Sequence, residues 1–214
     1  MHNLRKLILT AIFIALAIAG GLARIQLPNV ELLTVTFFLA GFFLGVARGL
    51  FVGSVAEFLY SFFNPYGPAA PPILIAQVFS MALAGGVGGF VRKFYAARTP
   101  PFWLLGVCGF VLTFIFDLNT TLAFTLFIDG SWQGLLTAIL FGAPFYFTHI
   151  GTNTLIFSLL LPILIPRLKT LAIFRNLATP DSTDREHSKI ISAPSASFHQ
   201  PERARAGKQT RAGS

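Results

Sequence analysis

Charge is what this sequence has least of. Asp, Glu, Lys and Arg make up 11% of its 214 residues and 54% are apolar, where a soluble domain is about 25% charged and about 45–50% apolar. So little charge cannot cover a globule of this size, and a mean hydropathy of +0.71 points to an integral membrane protein. Cysteine is represented only by Cys108, which excludes an intramolecular disulfide and leaves the redox compartment unread. Of the four histidines, only His149 falls in a long apolar run, which excludes a multi-histidine metal motif such as H-E-x-x-H. There is no glycine loop with a Walker lysine and no G-x-S-x-G around Gly53-Ser54, so nucleotide hydrolysis and a nucleophile elbow are not expected. The run Gly85-Gly86-Val87-Gly88-Gly89 reads as close helix packing rather than a phosphate cradle.

The basic excess, 16 Lys and Arg against 8 Asp and Glu, lies in short clusters at the edges of apolar runs. That is the pattern of membrane orientation signals rather than of nucleic-acid binding. A spanning helix needs about 20 apolar residues, and six candidates emerge: 5–23, 30–47, 49–64, 72–91, 102–127 and 145–166. Met1–Ala19 also imitates a secretory signal, with Ala17-Ile18-Ala19 before Gly20, but more spans follow and it is read as a retained first span. Only Arg48 separates the second and third candidates. A tight reversal among Gly45, Gly49 and Gly53 is preferred there to one long helix over 30–64. Pro144, after Gly142, is expected to divide a surface helix at 132–142 from the last span.

With the N-terminus in the cytoplasm, the inner segments hold Arg5, Lys6, Arg48, Arg92, Lys93, Arg98, Arg167, Lys169 and Arg175, and the outer side only Arg24. This is the asymmetry required of six spans with both termini cytoplasmic. Residues 1–175 are therefore expected to form a six-helix, all-α membrane domain. Residues 176–214, rich in Ser, Thr, Pro and charge, are expected to form a disordered cytoplasmic tail. Weak attraction of Arg203, Arg205, Lys208 and Arg211 to anionic headgroups is the alternative for the tail.

Polar residues inside spans are costly and mark an interior or a watery cavity. Glu57, Ser61 and Asn64 form one stripe at helical spacing with Gly53. Glu31 and Thr34 begin the second span, and Gln77, Ser80 and Met81 share a face of the fourth. Thr113, Asp117, Thr120 and Thr121 share a face of the fifth beside Asn119, and His149, Thr152 and Asn153 share one of the sixth. All fall in the outer halves of their spans, so a single polar pocket open to the outside is expected, rimmed by the Pro-Gly loop at 64–72. Each residue also has a plainer reading. Thr and Ser can bond the backbone one turn back, Asn119 and Asn153 can bridge helices, and Asp117 can sit at headgroup level. His149 can simply pair with Asp117 or Glu57, and Glu31 can serve a helix start after Asn29. Phe62, Phe63, Tyr66, Phe145 and Tyr146 are candidates for aromatic pocket surface.

The inner halves of the spans are nearly bare of polar groups, and no inverted repeat of broken helices is visible. A bundle with an outer pocket and no path through it binds a solute but needs a partner to move it.

The first span LILTAIFIALAIAGG and the stretch PNVELLTVTFFLAGFFLGVARGLFVGSVAEFLYSFFNPYGPAAPPILIAQVFSMALAG over 28–85 resemble the substrate-binding (S) component of an energy-coupling factor (ECF) transporter, across about residues 4–170. The resemblance implies six helices around an outward-facing pocket for a vitamin or cofactor precursor, in the cytoplasmic (inner) membrane of a bacterium. It implies that Ala11, Ala15 and Ala19 match the small-residue row that meets a transmembrane coupling subunit, and that ATP is used by two separate ATPase subunits rather than bound here. The substrate-binding residues would be Glu57, Ser61, Asn64, Tyr66, Gln77, Asp117, Asn119, His149, Asn153 and Tyr146. No catalytic residue and no metal ligand is expected, since His2 stands alone where metal-specific relatives carry several histidines. The rival readings are a self-sufficient carrier or channel, an intramembrane enzyme using Glu57, Asp117 and His149 as acid–base groups, and a scaffold with no ligand.

Overall fold

The computed structural model describes residues 2–23, 32–128 and 130–175. Arg24, Glu31 and the tail from 176 onward lie outside the described residues, as do the expectations placed on them. Every regular element among the described residues is helical. In chain order they are α1 (His2–Ala23), α2 (Leu33–Leu44), α3 (Val46–Phe62), α4 (Pro71–Tyr95), α5 (Phe102–Ile128) and α6 (Trp132–Leu155). A five-residue π-helical segment (Ile156–Leu160) follows, then α7 (Leu161–Thr170) and the short α8 (Ala172–Arg175). Four helical stretches are long and apolar enough to cross a membrane: Leu4–Ala23, Pro71–Tyr95, Phe102–Ile128 and Trp132–Thr170.

The helix α2 is the centre of the bundle. From Leu33 to Leu44 all its residues but Thr36 are buried, although its sequence shows no polar face to orient it. Its lack of a wet side reflects surrounding helices, since a helix apolar all round is a buried one. At 12 residues it is about 18 Å long, well short of a bilayer core of about 30 Å.

The chain reverses after α2, as expected, but at Gly45 rather than Arg48. Gly45 holds φ at 93°, a left-handed conformation that glycine adopts without steric cost. Arg48 instead falls in the first turn of α3. The reversal brings α2 and α3 side by side against α4 with almost no side-chain padding. A Cβ on Gly85 would overlap the backbone of Gly49, and one on Gly41 would overlap that of Gly85. Likewise, one on Gly88 would meet the Phe38 carbonyl and one on Gly89 the backbone of Val46. The glycine run is thus helix packing, as its composition suggested, because bare backbones are what allow three helices so close an approach.

The expected break at Pro144 is absent. Helix α6 runs through it, and with the π segment and α7 the chain stays helical from Trp132 to Thr170. Proline removes the bond from its own nitrogen to the residue four back and crowds that residue's carbonyl; here that residue is Leu140, on an exposed side of α6 at 73% exposure. The surface helix at 132–142 and the last span are therefore one element. The π segment places Phe157, buried against Gly109 and edge-on to Phe38 at 5.3 Å between centroids, where α5 and α6 meet α2.

One end of the bundle is basic. The Arg92 guanidinium donates to the carbonyls of Phe42 (3.4 Å) and Phe43 at the end of α2. The Lys169 ammonium donates to those of Tyr95 (3.3 Å) and Arg98 (3.1 Å) just past α4. These cations meet carbonyl groups that have no partner within their own helix, where positive charge is favoured.

Candidate ligand-binding site

The opposite end of α3 carries the polar stripe. Glu57 is 2% exposed and accepts a hydrogen bond from Ser61 Oγ at 2.9 Å, one helical turn on, as their spacing requires. The chain then leaves the helix through a tight turn. The Tyr66 amide donates to Asn64 Oδ1 (3.0 Å), the Gly67 amide to the Asn64 carbonyl (2.9 Å), and the Ala69 amide returns to the Ser61 carbonyl (3.2 Å). Gly67 takes φ of 105° in that turn.

These groups border a cavity of about 410 Å³ lined by Leu33, Glu57, Tyr60, Ser61, Asn64, Tyr66, Gly67, Ala69, Gln77, Phe116, Phe145 and His149. Five helices and the 64–69 loop therefore contribute to one site. Six of the ten expected binding residues line it: Glu57, Ser61, Asn64, Tyr66, Gln77 and His149.

The other four are placed differently. Asp117 stands behind His149, with Oδ1 2.8 Å from Nδ1, so the plainer reading of His149 as a partner of Asp117 also holds. This contact between α5 and α6 fixes the orientation of the imidazole ring. Asp117 and Tyr146 line a second cavity of about 450 Å³, between α4, α5 and α6. Asn119 lines neither; its Nδ2 donates to Ser80 Oγ at 3.1 Å and ties α5 to α4. Asn153 is completely buried one turn beyond His149, lines neither cavity, and its amide has no hydrogen-bond partner among the described residues. Thr120 bonds the Phe116 carbonyl (2.8 Å), the backbone capture expected of threonines in such helices.

The aromatic expectation is half corrected. Tyr66 and Phe145 line the first cavity, but Phe62 and Phe63 do not and are largely exposed. Phe62 instead stacks on Phe58, with centroids 5.5 Å apart. Their neighbour Tyr60 and the unforeseen Phe116 take the lining positions. Phe116 meets the His149 ring at 6.1 Å and Phe145 meets it at 5.4 Å, which packs the imidazole between two phenyl rings. Tyr60 sits three residues past Glu57 and Phe116 one before Asp117, so helical neighbourhood to the acids was the available signal.

No protein-family model, curated protein or solved structure matches this chain. The site must be read from its own chemistry. Its lining includes one carboxylate and one imidazole, with a second carboxylate behind the imidazole; among the described residues no Lys or Arg lines it. Groups of three or more His, Cys, Asp or Glu able to hold a metal are absent among the described residues. The arrangement can therefore accept hydrogen bonds from a ligand, hold it against aromatic faces, and orient it by few polar contacts, as small-molecule sites do.

Proposed function

We propose that this chain is the substrate-binding membrane subunit of an ECF-type transporter, capturing a vitamin-sized nutrient in the cavity beside Glu57 for ATP-driven uptake by partner subunits. The observation that carries the reading is the meeting of Glu57, Ser61, Asn64, Gln77 and His149 in one cavity, at the end of the bundle away from Arg92 and Lys169. Under this reading the chain crosses the cytoplasmic membrane six times, counting the short α2 and α3, with both termini on the basic side. Helix α2 can be short because neighbouring helices, not lipid, surround it. Ala11, Ala15 and Ala19 face outward from α1, the orientation a coupling subunit would need for close approach.

Native mass spectrometry of the tagged protein, gently extracted from its own host, tests this directly. A stoichiometric small-molecule adduct, lost in Glu57→Gln, together with co-purifying ATPase subunits, is the expected result. A protein that carries neither adduct nor partners, and behaves identically as Glu57→Gln, would refute it.

A further inference from the structure

The second cavity adjoins the first, because Gln77, Phe116 and Phe145 line both. A third, of about 510 Å³, continues from it along α5 and α6, sharing Phe124 and Ala138. The chemistry changes along this series. The first cavity presents Glu57, Ser61, Asn64 and His149. In the second, the polar side chains other than Gln77 are engaged with the protein itself. Thr121 Oγ1 and Tyr146 Oη lie 2.5 Å apart, Thr120 bonds the Phe116 carbonyl, and Asp117 holds His149. What remains is Ile73, Phe116, Phe124, Ala138, Phe145 and the Tyr146 ring. Away from the Gln77 edge, a water there would lack the two to four polar partners that hold a buried water in place. An apolar group would not need them.

At the junction stands Gln77. Its Oε1 is buried without a hydrogen-bond partner among the described residues, an unfavourable state unless a donor is supplied. An occupant passing from one cavity to the other would supply that donor beside Gln77.

We infer that the ligand is an amphiphile, with an amine or similar cationic donor as its head beside Glu57 and an apolar tail in the second cavity between α5 and α6. The inference rests on the ligand-binding role given above to the Glu57 cavity. Glu57, the Asp117 behind His149 and the lack of a lining Lys or Arg among the described residues select a donor-bearing, positive head over an anionic one. Gln77 marks where the head ends, and the aromatic and aliphatic walls beyond it select the tail.

Straight-chain primary amines from propylamine to nonylamine are the probe, titrated calorimetrically into the full chain in lipid nanodiscs, with empty nanodiscs subtracted. Affinity should rise about fourfold per methylene, the equivalent of about 0.8 kcal/mol for each buried CH₂, until the tail fills the second cavity. Glu57→Gln should weaken every member of the series by a similar factor. Ala138→Phe, and Ala138→Leu should the first fold poorly, should abolish the gain per methylene by filling the tail cavity. Affinities that are independent of length yet fall in Glu57→Gln would overturn the amphiphile and leave the binding site standing. A length dependence untouched by either Ala138 variant would also overturn it, placing the tail elsewhere. No binding by any amine, or binding indifferent to Glu57→Gln, would overturn the amphiphile, while the adduct measurement on the extracted protein decides the site separately.

Discussion

His149 and Asp117, 2.8 Å apart, join α6 to α5 while facing different spaces: the imidazole lines the polar cavity and the carboxylate the apolar one. Both side chains are about 95% buried, so removing one leaves the other buried without this contact. Breaking a buried pair this way costs about 3–5 kcal/mol, whereas replacing both partners with apolar groups is often neutral. Asp117→Leu should therefore lower stability in detergent-unfolding titrations by that order, and Asp117→Leu/His149→Leu by clearly less than the sum of the single losses. Strict additivity would show that the two are not energetically coupled.

The glycine contacts predict a sharp contrast between two conservative substitutions. Gly85→Ala places a methyl group into the Gly49 backbone, while Gly151→Ala meets nothing within 4 Å. Overpacking of rigid backbone costs about 1–3 kcal/mol or more, and helix propensity favours alanine by up to about 1 kcal/mol. Thermal melting should find Gly85→Ala destabilised and Gly151→Ala unchanged or stabilised. Equal behaviour of the two would contradict the α3–α4 packing.

The reversal at Gly45 can be checked by labelling. On a Cys108→Ala background, a cysteine at Ala47 should react with membrane-impermeant maleimide only from the cytoplasmic side, and one at Tyr66 only from outside. Both positions are exposed, so lack of reaction would not be due to burial in the bundle. Modification of both from one side would rule out the proposed arrangement of α2 and α3 as two spans.

The alanine row of α1 separates docking from folding. Ala11 and Ala15 are exposed and Ala17, between Ala15 and Ala19, is 1% exposed. Ala15→Trp should abolish co-purification of a second membrane subunit while shifting stability within about 0.5 kcal/mol, as surface changes do. Ala17→Trp should instead destabilise the chain itself. If Ala15→Trp leaves co-purification intact, α1 is not the coupling surface.

Much of this was readable in advance because spacing alone carries it. Glu57 and Ser61 had to lie on one face, and Ser61 does reach Glu57; Asn64, expected on the same helical face, instead lies in the turn past the end of α3. The glycine run had to be a packing surface, since a membrane helix gains little else from four glycines. Other features depended on which helix stands beside which. Phe62 and Phe63 look as suited to a pocket as Tyr60, yet their position on α3 turns them outward. Asn119 looks as available as Gln77, yet Ser80 of α4 engages it. Pro144 resembled a helix end because sequence cannot show that α6 continues through it.

By itself the sequence determined the membrane-like class, the all-helical elements and the clustering of basic residues at helix ends, because hydropathy and helical period are local properties of the chain. Only the tertiary structure decided that Asp117 holds His149, that Asn153 lies off the cavity, and that a polar and an apolar cavity share Gln77. Those outcomes turn on distances of a few ångströms between helices far apart in sequence, and no periodicity along one helix encodes its neighbour's register.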